Sequence, residues 1–182
     1  MTLRRICVFC GSSPGNRPEH REAALSLADT LVERKLGLVY GGASVGLMGQ
    51  IADRVLERGG EVIGVIPNTL IEMEVAHGGL ADLRRVGSMQ ERKAVMAELS
   101  DAFISLPGGF GTLDEMTEMV TWSILNLHNK PSGLLNIGGY YDPLLRFLDH
   151  AVTEGFIKPK HRALVIVATT PAELLDQFVA DI

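Results

Sequence analysis

Short apolar runs rich in Val, Ile and Leu alternate along the chain with longer stretches whose apolar positions recur every three or four residues. The short runs predict strands over 5–10, 36–40, 61–66, 83–86, 102–106, 132–136 and 164–168. The longer stretches predict helices over 18–34, 47–58, 89–100, 112–127, 141–153 and 171–179. In the first helix Ala24, Leu27, Ala28, Leu31 and Val32 fall at helical spacing, and Pro18 suits its first turn. The strands are apolar almost throughout rather than alternating. Such strands belong to a parallel sheet with helices on both faces and right-handed connections, an α/β fold. No linker, low-complexity tract or charge block divides residues 1–182, so one domain is expected. The longest irregular stretch, 67–79, carries Glu72, Glu74 and His77 and reads as a solvated excursion or a lid.

Composition narrows the partners. A net charge of -5 argues against nucleic acid, which needs a basic face, and against anionic membrane surfaces. It leaves room for a small anionic ligand held by a few local donors. No apolar run approaches the roughly 20 residues of a membrane span. Two arginines precede a five-residue apolar stretch at the start, too short for the roughly 7–15 residues of a signal-peptide core. A cytoplasmic location is expected. Cys7 and Cys10 form a C-x-x-C inside the first strand, where residues an odd number apart face opposite ways. Zinc needs about two further ligands, and no histidine is near in sequence. The pair reads as two small buried hydrophobes, and no metal is expected.

The chemistry collects just past the strands, where ligands bind in open α/β sheets. CGSSPG at 10–15 follows the first strand and YGGASVG at 40–46 the second; VGSMQERK at 86–93 follows the fourth and LPGGFGTLDE at 106–115 the fifth. Small residues let the backbone approach a ligand, and a helix starting there adds unpaired N–H groups and a positive dipole end. Gly108, Gly109, Gly111 and Thr112, with Gly41, Gly42 and Ser12 from the other loops, therefore read as a phosphate cradle. Tight strand-to-helix turns are the competing explanation of these glycines. The dinucleotide order G-x-G-x-x-G is absent, as is any G-K-[ST], so a mononucleotide or sugar phosphate fits better. Arg92 falls on an apolar helical stripe with Met89, Met96 and Leu99, a costly place for a guanidinium unless an anion meets it. That anion is either a carboxylate, Glu115 or Glu118, or a substrate group. Lys93 reads as a solvated neighbour. Glu115 has two readings. Thr112-x-x-Glu115 matches a capping box, as Ser88-x-x-Glu91 does, and a carboxylate one turn beyond a phosphate loop also suits catalysis.

These motifs taken together resemble the LONELY GUY (LOG) family of cytokinin riboside 5′-monophosphate phosphoribohydrolases. CGSS, YGG-x-x-VGLMG, the Arg92-Lys93 pair of MQERK and PGGFGTLDE carry the resemblance, with TW at 121–122, HNKP at 128–131 and GYYDPLL at 139–145. The resemblance implies a Rossmann-like homodimer that needs no cofactor and cleaves the N-glycosidic bond of a nucleoside 5′-monophosphate. It implies that Arg92 and Glu115 are the catalytic pair. Ser12, Gly41, Gly42, Met89, Lys93, Gly108, Gly109, Gly111 and Thr112 would hold the substrate and its phosphate. Trp122 is then an interface or a core residue. Two positions depart from the family pattern: Ala43 replaces a frequent glycine, and Ile124 replaces a frequent glutamine, which bears on base preference. The rivals are a nucleotide or cofactor carrier using the same cradle, and a decarboxylase, which would need pyridoxal phosphate and a Schiff-base lysine.

Overall fold

The computed structural model describes residues 2–71 and 76–180. Its strands are β1 (Arg5–Phe9), β2 (Gly37–Tyr40), β3 (Val62–Pro67), β4 (Asp82–Val86), β5 (Ala102–Ser105), β6 (Ser132–Leu135) and β7 (Val165–Ala168). The helices between them are α1 (Pro18–Glu33), α2 (Gly46–Glu57), α3 (Asn68–Ile71), α4 (Met89–Leu99), α5 (Phe110–Ile124), α6 (Asp142–Thr153), α7 (Pro159–Arg162) and α8 (Pro171–Ala180). Each strand and each long helix coincides with an expected one to within a few residues. The one-turn α3 and α7 carry too little periodicity to be read from sequence.

All seven strands are parallel, in the order β4-β3-β2-β1-β5-β6-β7. Side chains alternate across the sheet, so Ile6 and Val8 of β1 pack with α1, α2 and α8 on one face. Cys7 and Phe9 pack with α4 and α5 on the other, where α6 adds a neighbouring cluster around Tyr141. The C-x-x-C is split by this alternation: Cys7 belongs to one core and Cys10 to the other. Both thiols are unpaired, and burial, first among the causes, pushes both well above the usual thiol range. Neither is placed for redox chemistry.

The strand order reverses between β1 and β5, which opens a crevice at their carboxyl ends. The loops there are tied together by main-chain bonds. Gly11 N–H donates to Pro107 O (3.1 Å), and Leu47 N–H donates to Gly11 O (3.0 Å). Gly46, at φ +60°, packs so tightly on Ser12 that a Cβ would lie 2.3 Å from its carbonyl carbon. The far end of the irregular stretch is fastened rather than solvated. His77 N–H donates to Gly42 O (3.0 Å), its Nε2 lies 2.9 Å from an Asp53 oxygen, and Ala76 bridges Ala43. Glu72 and Glu74 of that stretch lie outside the described residues.

Candidate active site

Helix α5 begins earlier than its sequence suggests. Gly109 is the N-cap, extended at φ -97° and ψ -151°, and Phe110 is the first helical residue. Thr112 is therefore the third residue of the helix, and Glu115 lies well inside it. The capping-box reading of Thr112-x-x-Glu115 is thereby corrected: the helix is capped at Gly109 and not at Thr112, so Glu115 is not the third residue of a box. The second box behaves differently. Ser88 Oγ accepts from Glu91 N–H (3.1 Å), and the Glu91 carboxylate accepts from Gly87 N–H (2.6 Å), one residue before the cap.

The early start of α5 brings its first turn against the other loops. Cys10, Gly11, Ser12, Met48, Arg92, Gly109, Phe110, Gly111, Thr112 and Glu115 line one cavity of about 170 Å³. The unpaired N–H groups of the first turn of α5 and its positive end mark this cavity for an anion. Thr112 is buried, and its side chain folds over Gly108: a Cβ there would lie 2.1 Å from Thr112 Oγ1, so only glycine admits this turn.

Arg92 and Glu115 face each other in this cavity, 5% and 8% exposed. The guanidinium is fixed by two main-chain carbonyls. Nε donates to Val65 O (3.1 Å) within β3, and Nη2 donates to Gly41 O (3.2 Å) just past β2. Nη1 then lies 3.5 Å from Glu115 Oε1, an ion pair longer than a good hydrogen bond. Arg92 supplies the counter-charge that a buried carboxylate requires. Of the two carboxylates that Arg92 was expected to meet, Glu115 is the partner.

Lys93 is not a solvated neighbour. Its side chain is mostly buried, and Nζ pairs with Asp114 (3.0 Å) and Glu118 (2.7 Å) of α5. Burial pulls its ammonium down, but the hydrogen bonds it donates to Glu118 and Asp114 outweigh this and hold it above the usual lysine value.

The remaining expected binding residues divide. Ser12, Gly109, Gly111 and Thr112 line the cavity. Met89 is not among the lining residues; it is 37% exposed, with Sδ 4.0 Å from Arg92 Nη1. Gly41 works through Arg92, since a Cβ there would lie 2.0 Å from Nη2. Gly42 serves the turn itself, at φ +77°, with its carbonyl taken by His77. Gly108 is the seat for Thr112. Sequence reasoning did not single out Met48 or Phe110, and Phe110 is almost fully exposed at the mouth. An exposed aromatic inside a glycine loop is itself a signal.

Over residues 48–178 the chain matches the family described as "possible lysine decarboxylase". A probable cytokinin riboside 5′-monophosphate phosphoribohydrolase of Oryza sativa subsp. japonica is 55% identical over 173 residues, 95% of this chain and 76% of that protein. A cytokinin riboside 5′-monophosphate phosphoribohydrolase of Arabidopsis thaliana is 51% identical over 175 residues, 96% of this chain and 81% of its own. Among solved structures, the molybdenum cofactor binding protein of Rippkaea orientalis superposes with TM-score 0.73 at 22% identity, over 99% of this chain and 98% of that one. The molybdenum cofactor carrier protein of Chlamydomonas reinhardtii does so at 0.72 and 21%, with both chains fully covered. These two likenesses establish the Rossmann-like fold and no more. The sequence matches go further: the chain belongs to the LOG family.

Proposed function

We propose that this LOG-family chain is a phosphoribohydrolase that splits nucleoside 5′-monophosphates, including cytokinin ribotides and AMP, into free base and ribose 5-phosphate. The observation that carries the reading is the buried Arg92–Glu115 pair beside the open first turn of α5. The phosphate docks on the N–H groups of that turn, with the Thr112 hydroxyl beside it. Its anchoring presents the ribose to Glu115. As the C1′–N bond breaks, its electrons leave with the base and positive charge builds on the ribose. A carboxylate at this point stabilises that charge and takes the proton of the water that attacks C1′. Arg92, held by Val65 and Gly41, orients the carboxylate and contacts the substrate.

The decarboxylase name attached to the family finds no support in Lys93. A Schiff-base lysine must give up its proton, whereas two carboxylates hold the Lys93 proton on. The relatives' names support the glycosidic reaction, and the carrier-like neighbours share only the fold. The same reading includes a homodimer in the cytoplasm. Trp122 packs against the α4–α5 core, which leaves Leu125 and Leu127, 61% and 66% exposed, as the apolar surface for a second copy.

The test is release of free base from AMP and isopentenyladenosine monophosphate, with adenosine as control. The monophosphates are cleaved and adenosine is not, because the anchored phosphate positions the reacting bond. Equal turnover of AMP and adenosine would refute the anchoring. No base from any monophosphate would favour the carrier.

A further inference from the structure

The two adjacent tyrosines of GYYDPLL reach back from beyond β6 to the glycine loop ahead of α5. A tight turn aims them there. Gly138 and Gly139 take φ +55° and +73°, a region that a side chain resists. Asn136 Oδ1 accepts from Tyr141 N–H (2.8 Å), and Asn136 Nδ2 donates to Asp142 Oδ1 (2.8 Å), which ties the turn to the start of α6. The two tyrosine rings stand edge to face, 5.0 Å apart, and the Tyr140 ring meets His20 in the same way at 5.6 Å.

Their hydroxyls meet carbonyls. Tyr141 donates to Leu106 O (2.6 Å), and Tyr140 donates to Gly108 O (2.5 Å). Between these two, Pro107 O accepts from Gly11 N–H (3.1 Å); after them, Gly109 O accepts from Leu113 N–H (3.1 Å). Four successive carbonyls are thus each taken by a donor. A loop that holds an anion needs this, because main-chain N–H groups attract the anion and a carbonyl oxygen turned toward it repels it. The peptide between Gly108 and Gly109 is the one most easily turned over, since glycines flank it on both sides. No side chain at 108 can stiffen it, because a Cβ there would lie 2.1 Å from Thr112 Oγ1. It has to be held from outside. The peptide is trans and planar, so a carbonyl fixed toward Tyr140 sends Gly109 N–H to the opposite side. Gly109 lines the catalytic cavity and Tyr140 does not.

We propose that Tyr140 is a positioning residue for the substrate phosphate: its hydroxyl keeps the Gly108 carbonyl turned out and the Gly109 N–H turned toward the anion. The proposal rests on the reading that a nucleoside monophosphate docks its phosphate at the first turn of α5. Tyr140 acts through the main chain and leaves the Arg92–Glu115 pair as it is.

Tyr140→Phe removes the hydroxyl and keeps the ring against His20 and Tyr141. Calorimetry on the folded full-length variant should show inorganic phosphate and ribose 5-phosphate bound roughly tenfold more weakly, the scale of one hydrogen bond to a charged group. KM for AMP should rise by a similar factor while kcat stays within about threefold, since the phosphate is held alike in the ground and transition states. A tyrosine that served stability alone would lower the melting temperature and leave phosphate affinity and KM unmoved. NMR reads the wild type directly: titration with inorganic phosphate should shift the Gly109 amide. Unchanged phosphate affinity in folded Tyr140→Phe, a loss confined to kcat, or a Gly109 amide that stays still at saturating phosphate overturns the proposal. Should Tyr140→Phe fail to fold, the wild-type titration decides, because the Tyr140 ring signals must move together with the Gly109 amide; a still Tyr140 overturns the proposal. The two readings fail separately. Phosphate binding that depends on Tyr140, without release of base from any monophosphate, would sink the hydrolase and leave the positioning role. Base release with phosphate affinity indifferent to Tyr140 would do the reverse.

Discussion

Helices α4 and α5 are joined by ion pairs from two adjacent residues, Arg92 and Lys93, and the two residues' contacts differ in kind. Arg92 meets Glu115 in a cavity, both side chains at most 10% exposed, at 3.5 Å. Lys93 meets Asp114 and Glu118 outside it at 3.0 and 2.7 Å, with Asp114 60% exposed. A clamp meant for stability would favour the short distances, and the outer pair has them. The inner pair carries the desolvation cost of two buried charges and takes back less of it, because its separation is long. A loose buried pair beside an open helix N-terminus is poised for an incoming group. One residue step along α4 thus separates the exposed clamp from the loose buried pair.

Glu115→Gln should show the largest effect. Turnover of AMP should fall roughly a hundredfold or more, the scale of losing a positioned base or charge stabiliser. The fold should survive with a loss of about 1–3 kcal/mol, since Arg92 keeps both carbonyls but loses a full counter-charge. Single-turnover kinetics and urea melts read the two effects separately. A folded variant with near wild-type turnover would reduce the inner pair to the status of the outer one. Arg92→Lys comes next. An ammonium cannot replace the guanidinium fork that spans Val65 O and Gly41 O. A drop in turnover of roughly tenfold or more and a stability loss of about 1–3 kcal/mol are expected. Retention of both would mean that the fixed orientation of Arg92 is unimportant.

Most of the fold was legible because the sheet is buried on both faces, so its strands read as continuous apolar runs bounded by glycines. The convergence of four loops on one edge followed from parallel topology alone. The start of α5 was not legible. T-x-x-E suggests a start after Thr112, whereas the helix is capped at Gly109 and Thr112 folds back over Gly108, a contact that the T-x-x-E spacing does not reveal. Lys93 was misjudged for a similar reason. Its partners are on another helix, and only the packing of α4 beside α5 brings Asp114 and Glu118 to it.

The smallest effect should come from Lys93→Met, which removes the outer clamp and keeps the apolar stem. Turnover should change by no more than about threefold, because the Arg92–Glu115 geometry rests on Val65 and Gly41 rather than on Lys93. Stability should fall by about 0–1 kcal/mol, since Asp114 is largely solvated and water screens the pair. The pH dependence gives the sharper signature. The folded protein holds the Lys93 proton more tightly than an unfolded chain does, so the clamp's contribution is fully present below the ordinary lysine value of about 10.4. It is lost as pH rises through the elevated folded value. The wild type should therefore converge on Lys93→Met in alkaline melts and stand apart from it at neutral pH. A gap that persists above the lysine range would mean that Lys93 contributes by packing and not by charge. A large rise in KM for AMP, with stability intact, would instead return Lys93 to the substrate site that its place beside Arg92 suggested.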